Sequence, residues 1–197
     1  MTQETIYLQP ESYYHIYNRG NNKEVLFKEQ KNYAYFMTLV EKHILPVADL
    51  FAYNLLPNHF HFFIKTKNIP ASDNNKQFSQ PFSNLFNAYA KAINKSYNRT
   101  GSLFQEKFRR KEVKSDQYFT SVVLYIHGNA QHHGLVKDFK QHPYTSYHNY
   151  VNNTYNKLEK NGLLEWFGGL ERFIKMHEEY KMNLDDRKII LENIDDD

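Results

Sequence analysis

The order in which strand-like and helix-like segments follow one another is the feature that most restricts the fold of this chain. Hydrophobic periodicity and turn residues divide its first half into strand, helix, strand, strand, helix and strand, assigned to residues 12–19, 29–44, 48–56, 59–66, 81–97 and 103–113. That order is typical of the ferredoxin-like split βαβ sandwich, an α+β fold. We therefore predict one antiparallel sheet with two helices on one face and an opposite face that is free to bind a ligand or hold a site.

The third predicted strand, with the sequence HFHFFIKT, carries two histidines at alternate positions. In a strand, His59 and His61 point to one face, and Phe60, Phe62 and Ile64 point to the other. The apolar side chains can then pack against the helices while the two imidazoles converge on the open face. Two imidazoles at this spacing can share a metal ion, although strand histidines without a ligand also account for a bare His-X-His.

A further helix, predicted over residues 116–128, follows the last strand of this series. Tyr125 and Asn129 are four residues apart and therefore lie on the same helical face. A tyrosine hydroxyl is a possible nucleophile toward phosphorus, but with a reference pKa of about 10 it needs a charged neighbour or a metal-polarised phosphate. Asn129 can offer a carbonyl oxygen to the same metal. Since the chain has 16 tyrosines, an ordinary packing role for Tyr125 is the alternative.

The net charge of +3 is unevenly spread along the chain. Residues 89–115 hold eight Lys or Arg against two Glu, a local +6, whereas residues 159–197 hold eleven Asp or Glu against six Lys or Arg, a local −5. A basic region in a chain with 16% aromatic residues favours a nucleic acid partner, with a solvated charged face as the alternative. The candidate DNA-binding residues are Asn18, Arg19, Lys91, Lys95, Arg99, Arg109, Arg110 and Lys111.

Spacing indicates how part of this set would reach a nucleic acid. Lys91, Lys95 and Arg99 follow one another at intervals of four, so we expect one stripe along a helix that neutralises phosphates. Phe104 and Phe108 would offer stacking surfaces for unpaired bases, unless they belong to the core.

Composition excludes several classes of protein. The chain has no cysteine, which excludes disulfides, a thiol nucleophile and Cys-based zinc or iron–sulfur sites. No apolar run approaches the length of a membrane span, and the N-terminal residues lack the basic-then-apolar order of a signal peptide. We therefore expect a cytoplasmic protein with no membrane partner.

Three further expectations concern residues outside these motifs. The polar segment 67–80 is predicted to be a mobile loop. His15 is expected to be a structural strand histidine, and His127 is expected to be exposed.

Five stretches carry a resemblance to a known family, and they occur in the family's order: YHIYNRG at 14–20, PNHFHF at 57–62, RTGSLFQEKF at 99–108, YIHGN at 125–129, and GLV at 134–136 with YTSY at 144–147. Through them the chain resembles the HUH single-strand transposases, and more specifically the REP-associated tyrosine transposases and their insertion-sequence relatives. Each stretch is short, but five in the correct order make the resemblance specific.

The resemblance implies the ferredoxin-like fold, with His59 and His61 as metal ligands, Asn129 as the third ligand and Tyr125 as the nucleophile. The tyrosine would attack a phosphodiester in single-stranded DNA, leaving a 5′-phosphotyrosine link and a free 3′-hydroxyl, and reversal with another 3′-hydroxyl would rejoin strands. The implied metal is Mg²⁺ or Mn²⁺. Because Mg²⁺ prefers oxygen ligands, two imidazoles and an amide make an incomplete shell, so we expect metal to bind well only with DNA present.

The resemblance also sets expectations about partners and organisation. The implied partner is single-stranded DNA that forms hairpins, and a homodimer is one option because some relatives donate the tyrosine helix across an interface. We expect a transposase domain over residues 1–150 and a helical, acidic extension over residues 151–197. Two other functions stay open: a non-catalytic module that binds structured single strands, and an HUH-type nickase for replication or transfer.

Overall fold

A computed structural model describes residues 7–70 and 76–180 of the chain. Its centre is an antiparallel four-stranded sheet in the order β2-β3-β1-β4. The strands are β1 (Tyr13–Arg19), β2 (Ala48–Leu56), β3 (His59–Thr66) and β4 (Arg109–Glu112). This order, with a helix between β1 and β2 and another between β3 and β4, confirms the predicted ferredoxin-like sandwich.

Two helices cover one face of the sheet, α1 (Gln30–His43) and α2 (Ser79–Ser96). The rings of Phe60 and Phe62 on β3 lie 5.3 and 6.1 Å from that of Phe36 on α1, and Phe86 on α2 lies 5.6 Å from Phe60. Alternation along β3 therefore directs its apolar set to this layer, as predicted.

The opposite face of the sheet is covered by a third helix, α3 (Asp116–His132), and the prediction of a free face was wrong. This face is apolar at its Tyr13, Phe51 and Phe63 positions, and the Phe119 ring of α3 lies 5.2, 6.1 and 4.7 Å from those three rings. An apolar patch of this size is stabilised by being removed from water, which the docked helix achieves.

Three shorter helices follow, α4 (Tyr147–Val151), α5 (Lys160–Phe167) and α6 (Leu170–Glu179). Helix α6 packs on α3, where His177 Nε2 lies 2.7 Å from Nδ1 of His127. His127 was predicted to be exposed but is completely buried, because α6 covers the outer side of α3. Phe173 of α6 belongs to the same hydrophobic core as the sheet, and the expected boundary at residue 150 stays a prediction.

Several element bounds differ from those expected. The predicted strand 103–113 is regular only over Arg109–Glu112, since residues 103–105 bond irregularly to the end of β1. Helix α3 continues to His132, four residues beyond the predicted end.

Residues 71–75 of the predicted mobile loop and residues 181–197 of the acidic extension lie outside the described residues. Within the described residues, no helix is long and apolar enough to span a membrane.

Candidate functional site

The residues predicted to carry chemistry meet between the sheet and α3. His59 Nε2 lies 3.1 Å from Oδ1 of Asn129. The His59 and His61 rings have their centres 5.2 Å apart, and the Tyr125 ring centre lies 5.5 Å from that of His61. Two strand histidines and one turn of a helix thus form a single cluster, because α3 docks on the face of the sheet that carries both histidines.

The position of α3 follows from its cap and from one bond to the sheet. Ser115 Oγ accepts a hydrogen bond from the backbone N–H of Tyr118 at 3.2 Å, which fixes the start of the helix. At mid-helix, Asn54 Nδ2 on β2 donates to the carbonyl oxygen of Ile126 at 2.7 Å. Since Asn54 pairs with His61 across β2 and β3, this bond holds the tyrosine-bearing turn directly over the histidine.

The cluster is closed to solvent. Tyr125 and His61 are each 1% exposed and Asn129 is 0% exposed, whereas His59 is 8% exposed. His59 therefore marks the edge nearest to solvent, where the exposed His133 lies with its ring centre 4.9 Å away. A macromolecular substrate can reach Tyr125 only after α3 and the sheet separate locally.

The electrostatics of the cluster are one-sided. Burial, together with the nearby His133 and Arg19 and opposed by the Asn129 contact, lowers the pKa of His59 to about 3. Burial also holds the pKa of His61 well below its usual value, with His15, His59, His133 and Arg19 adding to the effect. Both imidazoles are therefore neutral at neutral pH, and among the described residues the permanent charge that acts on both is that of Arg19. Such an environment favours an anion.

Beneath the cluster lies His15, whose role the sequence did not reveal. Its Nε2 atom lies 2.9 Å from Nδ1 of His61, and its side chain is 0% exposed. Burial, with a contribution from Lys111, lowers the pKa of His15 to about 3, so this ring is also neutral. The contact depends on the register between β1 and β3, which sequence spacing alone does not specify.

Comparison with known proteins decides the family. Residues 9–129 match the family model described as IS200-like transposase. The chain belongs to this family. A solved structure of a REP-associated tyrosine transposase bound to a REP hairpin is similar, with a TM-score of 0.61 and 18% identity over 77% of this chain and 86% of the solved one. At that identity the likeness shows the fold, and among curated proteins no sequence matches.

In this IS200-like transposase, the cation that the family implies has an incomplete donor set. His59 Nε2 and Asn129 Oδ1 are adjacent, and His61 Nε2 is buried without a hydrogen-bond partner among the described residues. Because an amide oxygen only accepts, the contact with Asn129 places a His59 proton on Nε2, which a cation would have to displace. Within the described residues, no three His, Cys, Asp or Glu side chains are grouped to hold a metal. The residues fit a weakly bound ion whose remaining ligands come from elsewhere.

The strand register divides the predicted DNA-binding residues of the transposase between the two faces of the sheet. Arg19, Arg109 and Lys111 pair with residues on the histidine face. Arg110 lies on the opposite face, with its guanidinium 4.3 Å from the centre of the Phe108 ring. Arg19 forms no ion pair with the described residues. Arg19, Arg109 and Lys111 therefore share the histidine face, where Lys111 Nζ lies 5.3 Å from the centre of the Tyr118 ring.

The close turn after β1 sets the direction of Arg19. A Cβ atom at Gly20 would lie 1.9 Å from the carbonyl oxygen of Glu24, so only glycine permits this approach. Gly20 N donates to the carbonyl of Asn58, which joins the turn to the residue before His59. The glycine that ends the first matching motif therefore holds Arg19 beside His59.

The predicted stripe of three cations on α2 is interrupted. Lys91 and Lys95 are exposed on the helix, but α2 ends at Ser96 and Arg99 lies beyond it. The Arg99 guanidinium instead pairs with the Glu24 carboxylate, with Nε at 3.0 Å from Oε1. The predicted four-residue spacing does not apply to Arg99, because the chain leaves the helix and turns at Asn98, where φ is 48°. A DNA-binding role for these residues stays a prediction.

Three further candidates for nucleic acid contact are buried. Asn18 is 3% exposed, and its Oδ1 accepts from the backbone N–H of Arg19 at 2.8 Å. Phe104 and Phe108 are 6% and 8% exposed and pack against rings of α2. The two phenylalanines therefore belong to the core, which was the alternative to a stacking surface.

Gly128 creates space within the tyrosine-bearing helix. A Cβ there would lie 3.0 Å from Cε1 of His132, whose ring lies over the glycine and stacks on Tyr125 at 5.8 Å between centres. The missing side chain of Gly128 thus allows His132 to fold back against the proposed nucleophile.

Proposed function

We propose that this chain is a metal-dependent tyrosine transposase, which cleaves and rejoins single-stranded DNA at hairpin-forming sequences through a 5′-phosphotyrosine intermediate. The observation that carries the proposal is the cluster of Tyr125, His59, His61 and Asn129 on one buried surface. Family membership supports a transposase, and the solved relative that is bound to a REP hairpin supports a hairpin as the DNA partner.

The chemistry assigns one role to each group. The Tyr125 oxygen forms a bond to phosphorus while the bond from phosphorus to the 3′ oxygen breaks, and the phenol proton is formally transferred to that leaving oxygen. When bound, the divalent ion polarises the phosphate. His59, His61 and Asn129 would hold it, and Arg19 would neutralise a phosphate oxygen at the site's edge.

Among the described residues no carboxylate acts on the pKa of either histidine, and this supports binding of metal and DNA together. A divalent cation placed there alone is repelled by the Arg19 guanidinium. A DNA phosphate supplies the missing negative charge and the oxygen ligands that Mg²⁺ or Mn²⁺ prefers. We therefore expect metal affinity and DNA affinity to increase together.

The closed cluster gives the proposed reaction a conformational step. Tyr125 must leave its buried position before a phosphodiester can approach it, since its side chain is 1% exposed. Such movements of packed elements occur within microseconds to milliseconds and are compatible with turnover.

The experiment is trapping of the covalent intermediate. The full chain is incubated with Mn²⁺ and hairpin oligonucleotides that carry single-stranded flanks, and a denaturing gel should show a slower protein–DNA band. Tyr125→Phe should remove this band. Tyr118→Phe is the matched control on the same helix, because the buried Tyr118 hydroxyl has no hydrogen-bond partner among the described residues. A band that persists in Tyr125→Phe would contradict the assignment of the nucleophile.

The burial of Tyr125 favours a second candidate function, a non-catalytic module that binds structured single strands. In that case the histidine face is a packed interior, and Lys91 and Lys95 carry the affinity. This candidate predicts salt-sensitive hairpin binding that is unchanged in the double variant His59→Ala, His61→Ala, and no cleavage with any metal.

A further inference from the structure

The buried contact between His15 and His61 has a consequence for the metal site. His15 on β1 and His61 on β3 approach through Nε2 and Nδ1, which are 2.9 Å apart. Two imidazole nitrogens at this distance must share one proton, so one ring donates and the other accepts. The two outward nitrogens, His15 Nδ1 and His61 Nε2, have no hydrogen-bond partner among the described residues.

Two arrangements of that proton are possible, and they differ at the metal site. If His61 carries its proton on Nδ1, it donates to His15 and keeps a lone pair on Nε2. If His15 donates instead, the proton of His61 lies on Nε2, where it blocks a cation. Only the first arrangement allows His61 to be a ligand through the nitrogen that faces the cluster.

We propose that His15 is a positioning residue, which accepts a hydrogen bond from Nδ1 of His61 and thereby directs the Nε2 lone pair of His61 toward the cation. The inference rests on the proposed function, which places a metal at His59, His61 and Asn129. His15 would not contact the ion. It fixes both the tautomer and the orientation of a ring that has no other hydrogen bond among the described residues.

Calorimetric titration of Ni²⁺ into the tag-free full chain tests the inference, because Ni²⁺ binds imidazole well without DNA. His15→Phe fills the space without an acceptor, and His15→Gln restores an acceptor oxygen. His61→Ala reports whether the titration measures this site. His142→Phe is the control for loss of a buried histidine, since His142 bonds to the Leu55 carbonyl on the side of β2 that faces away from β3.

The affinity for Ni²⁺ should fall by about 10- to 100-fold in His15→Phe, return largely in His15→Gln and remain unchanged in His142→Phe. Wild-type affinity in His15→Phe, together with lost binding in His61→Ala, would overturn the role of His15 and leave the proposed metal site intact. Equal binding by wild type and His61→Ala would instead overturn both.

A spectroscopic measurement keeps the inference testable if His15→Phe does not fold. In the Zn²⁺-loaded wild-type chain, long-range ¹H–¹⁵N spectra assign the proton of each imidazole to one nitrogen. The proposal expects the His61 proton on Nδ1 and an unprotonated Nε2 on His15. A His61 proton on Nε2 would refute it, because that nitrogen could not then hold the metal.

Discussion

The rings of Tyr125 and His61 meet edge to face, with centres 5.5 Å apart and an angle of 82° between their planes. One belongs to a helix and the other to a strand, and both side chains are buried from solvent. The proposed nucleophile is therefore next to a proposed metal ligand in a state that DNA cannot enter. This relationship leads to the first prediction.

Weakening the bond that holds α3 on the sheet should increase access to Tyr125. Asn54→Ala removes the donor to the Ile126 carbonyl and should lower the free energy of unfolding by about 1–2 kcal/mol. The rate of adduct formation per folded molecule should rise, because local separation of α3 costs less. Hydrogen exchange of α3 amides, measured with and without hairpin DNA, reports the same opening. Adduct formation that proceeds while α3 remains fully protected would refute this step.

Changing the third ligand should separate metal affinity from DNA affinity. Asn129→Asp places a carboxylate beside His59, which supplies the negative charge that the site lacks. Mn²⁺ binding without DNA should tighten about tenfold, equivalent to ~1.4 kcal/mol, whereas hairpin affinity should fall because the carboxylate repels phosphate. Asn129→Leu is the comparison, since it removes the oxygen without adding charge. If both variants bind Mn²⁺ as the wild type does, position 129 is not a ligand.

Two neighbouring arginines on β4 should differ in their effect on DNA binding. Arg109 lies on the histidine face, and Arg110 lies on the other face above Phe108. Arg109→Gln should reduce the salt dependence of binding to single-stranded flanks by about 0.7 in the slope of log affinity against log salt, the value for one phosphate contact. Arg110→Gln should change this slope less. Titrations of labelled oligonucleotide at several salt concentrations measure both, and equal slopes would contradict the assignment of faces.

Acid should destabilise the packing of α6 on α3. Burial lowers the pKa of His177 from 6.5 to about 4, so between these values the unfolded chain takes up a proton that the folded chain excludes. The contribution of His177 to the free energy of unfolding is therefore fully present above pH 6.5. It is lost as the pH decreases toward 4, and the loss amounts to about 3 kcal/mol. Urea unfolding at pH 7.5, 6 and 5 measures the loss. His177→Phe should make the pH dependence shallower, whereas His43→Gln, at a partly exposed position, should have a smaller effect.

Replacing the glycine within α3 should stabilise the helix. Gly128→Ala gains about 0.5–1 kcal/mol of helix propensity, while its Cβ meets only the end of the exposed His132 ring. That ring should move away from Tyr125. Thermal unfolding should show a higher midpoint, and a lower midpoint would mean that His132 cannot move. The adduct assay then shows whether His132 affects the nucleophile.

Local patterns were sufficient for much of the fold and for the composition of the cluster. Alternation in HFHFFIKT placed His59 and His61 on one face, and the spacing of Tyr125 and Asn129 placed both on one side of a helix. Periodicity could not show that this helix docks on the histidine face. That arrangement depends on long-range packing of Phe119, which a single chain's pattern does not reveal.

The contacts of His15 and Arg99 were missed for a related reason. The partner of His15 is set by strand register, and the partner of Arg99 is set by a turn that follows α2. The spacing of residues in the sequence predicts neither of these two contacts. His127 was misplaced because the sequence indicated a polar side chain, whereas a second histidine from a distant helix accompanies it in the interior.

The support that α6 gives to α3 affects how the protein can be shortened. The match to the family model ends at residue 129, yet Phe173 and His177 pack behind the helix that carries Tyr125. A fragment that ends at residue 129 would retain every proposed reacting group. It would lose the side chains of α6 that pack against α3. Shortened versions of the chain should therefore keep residues through 179.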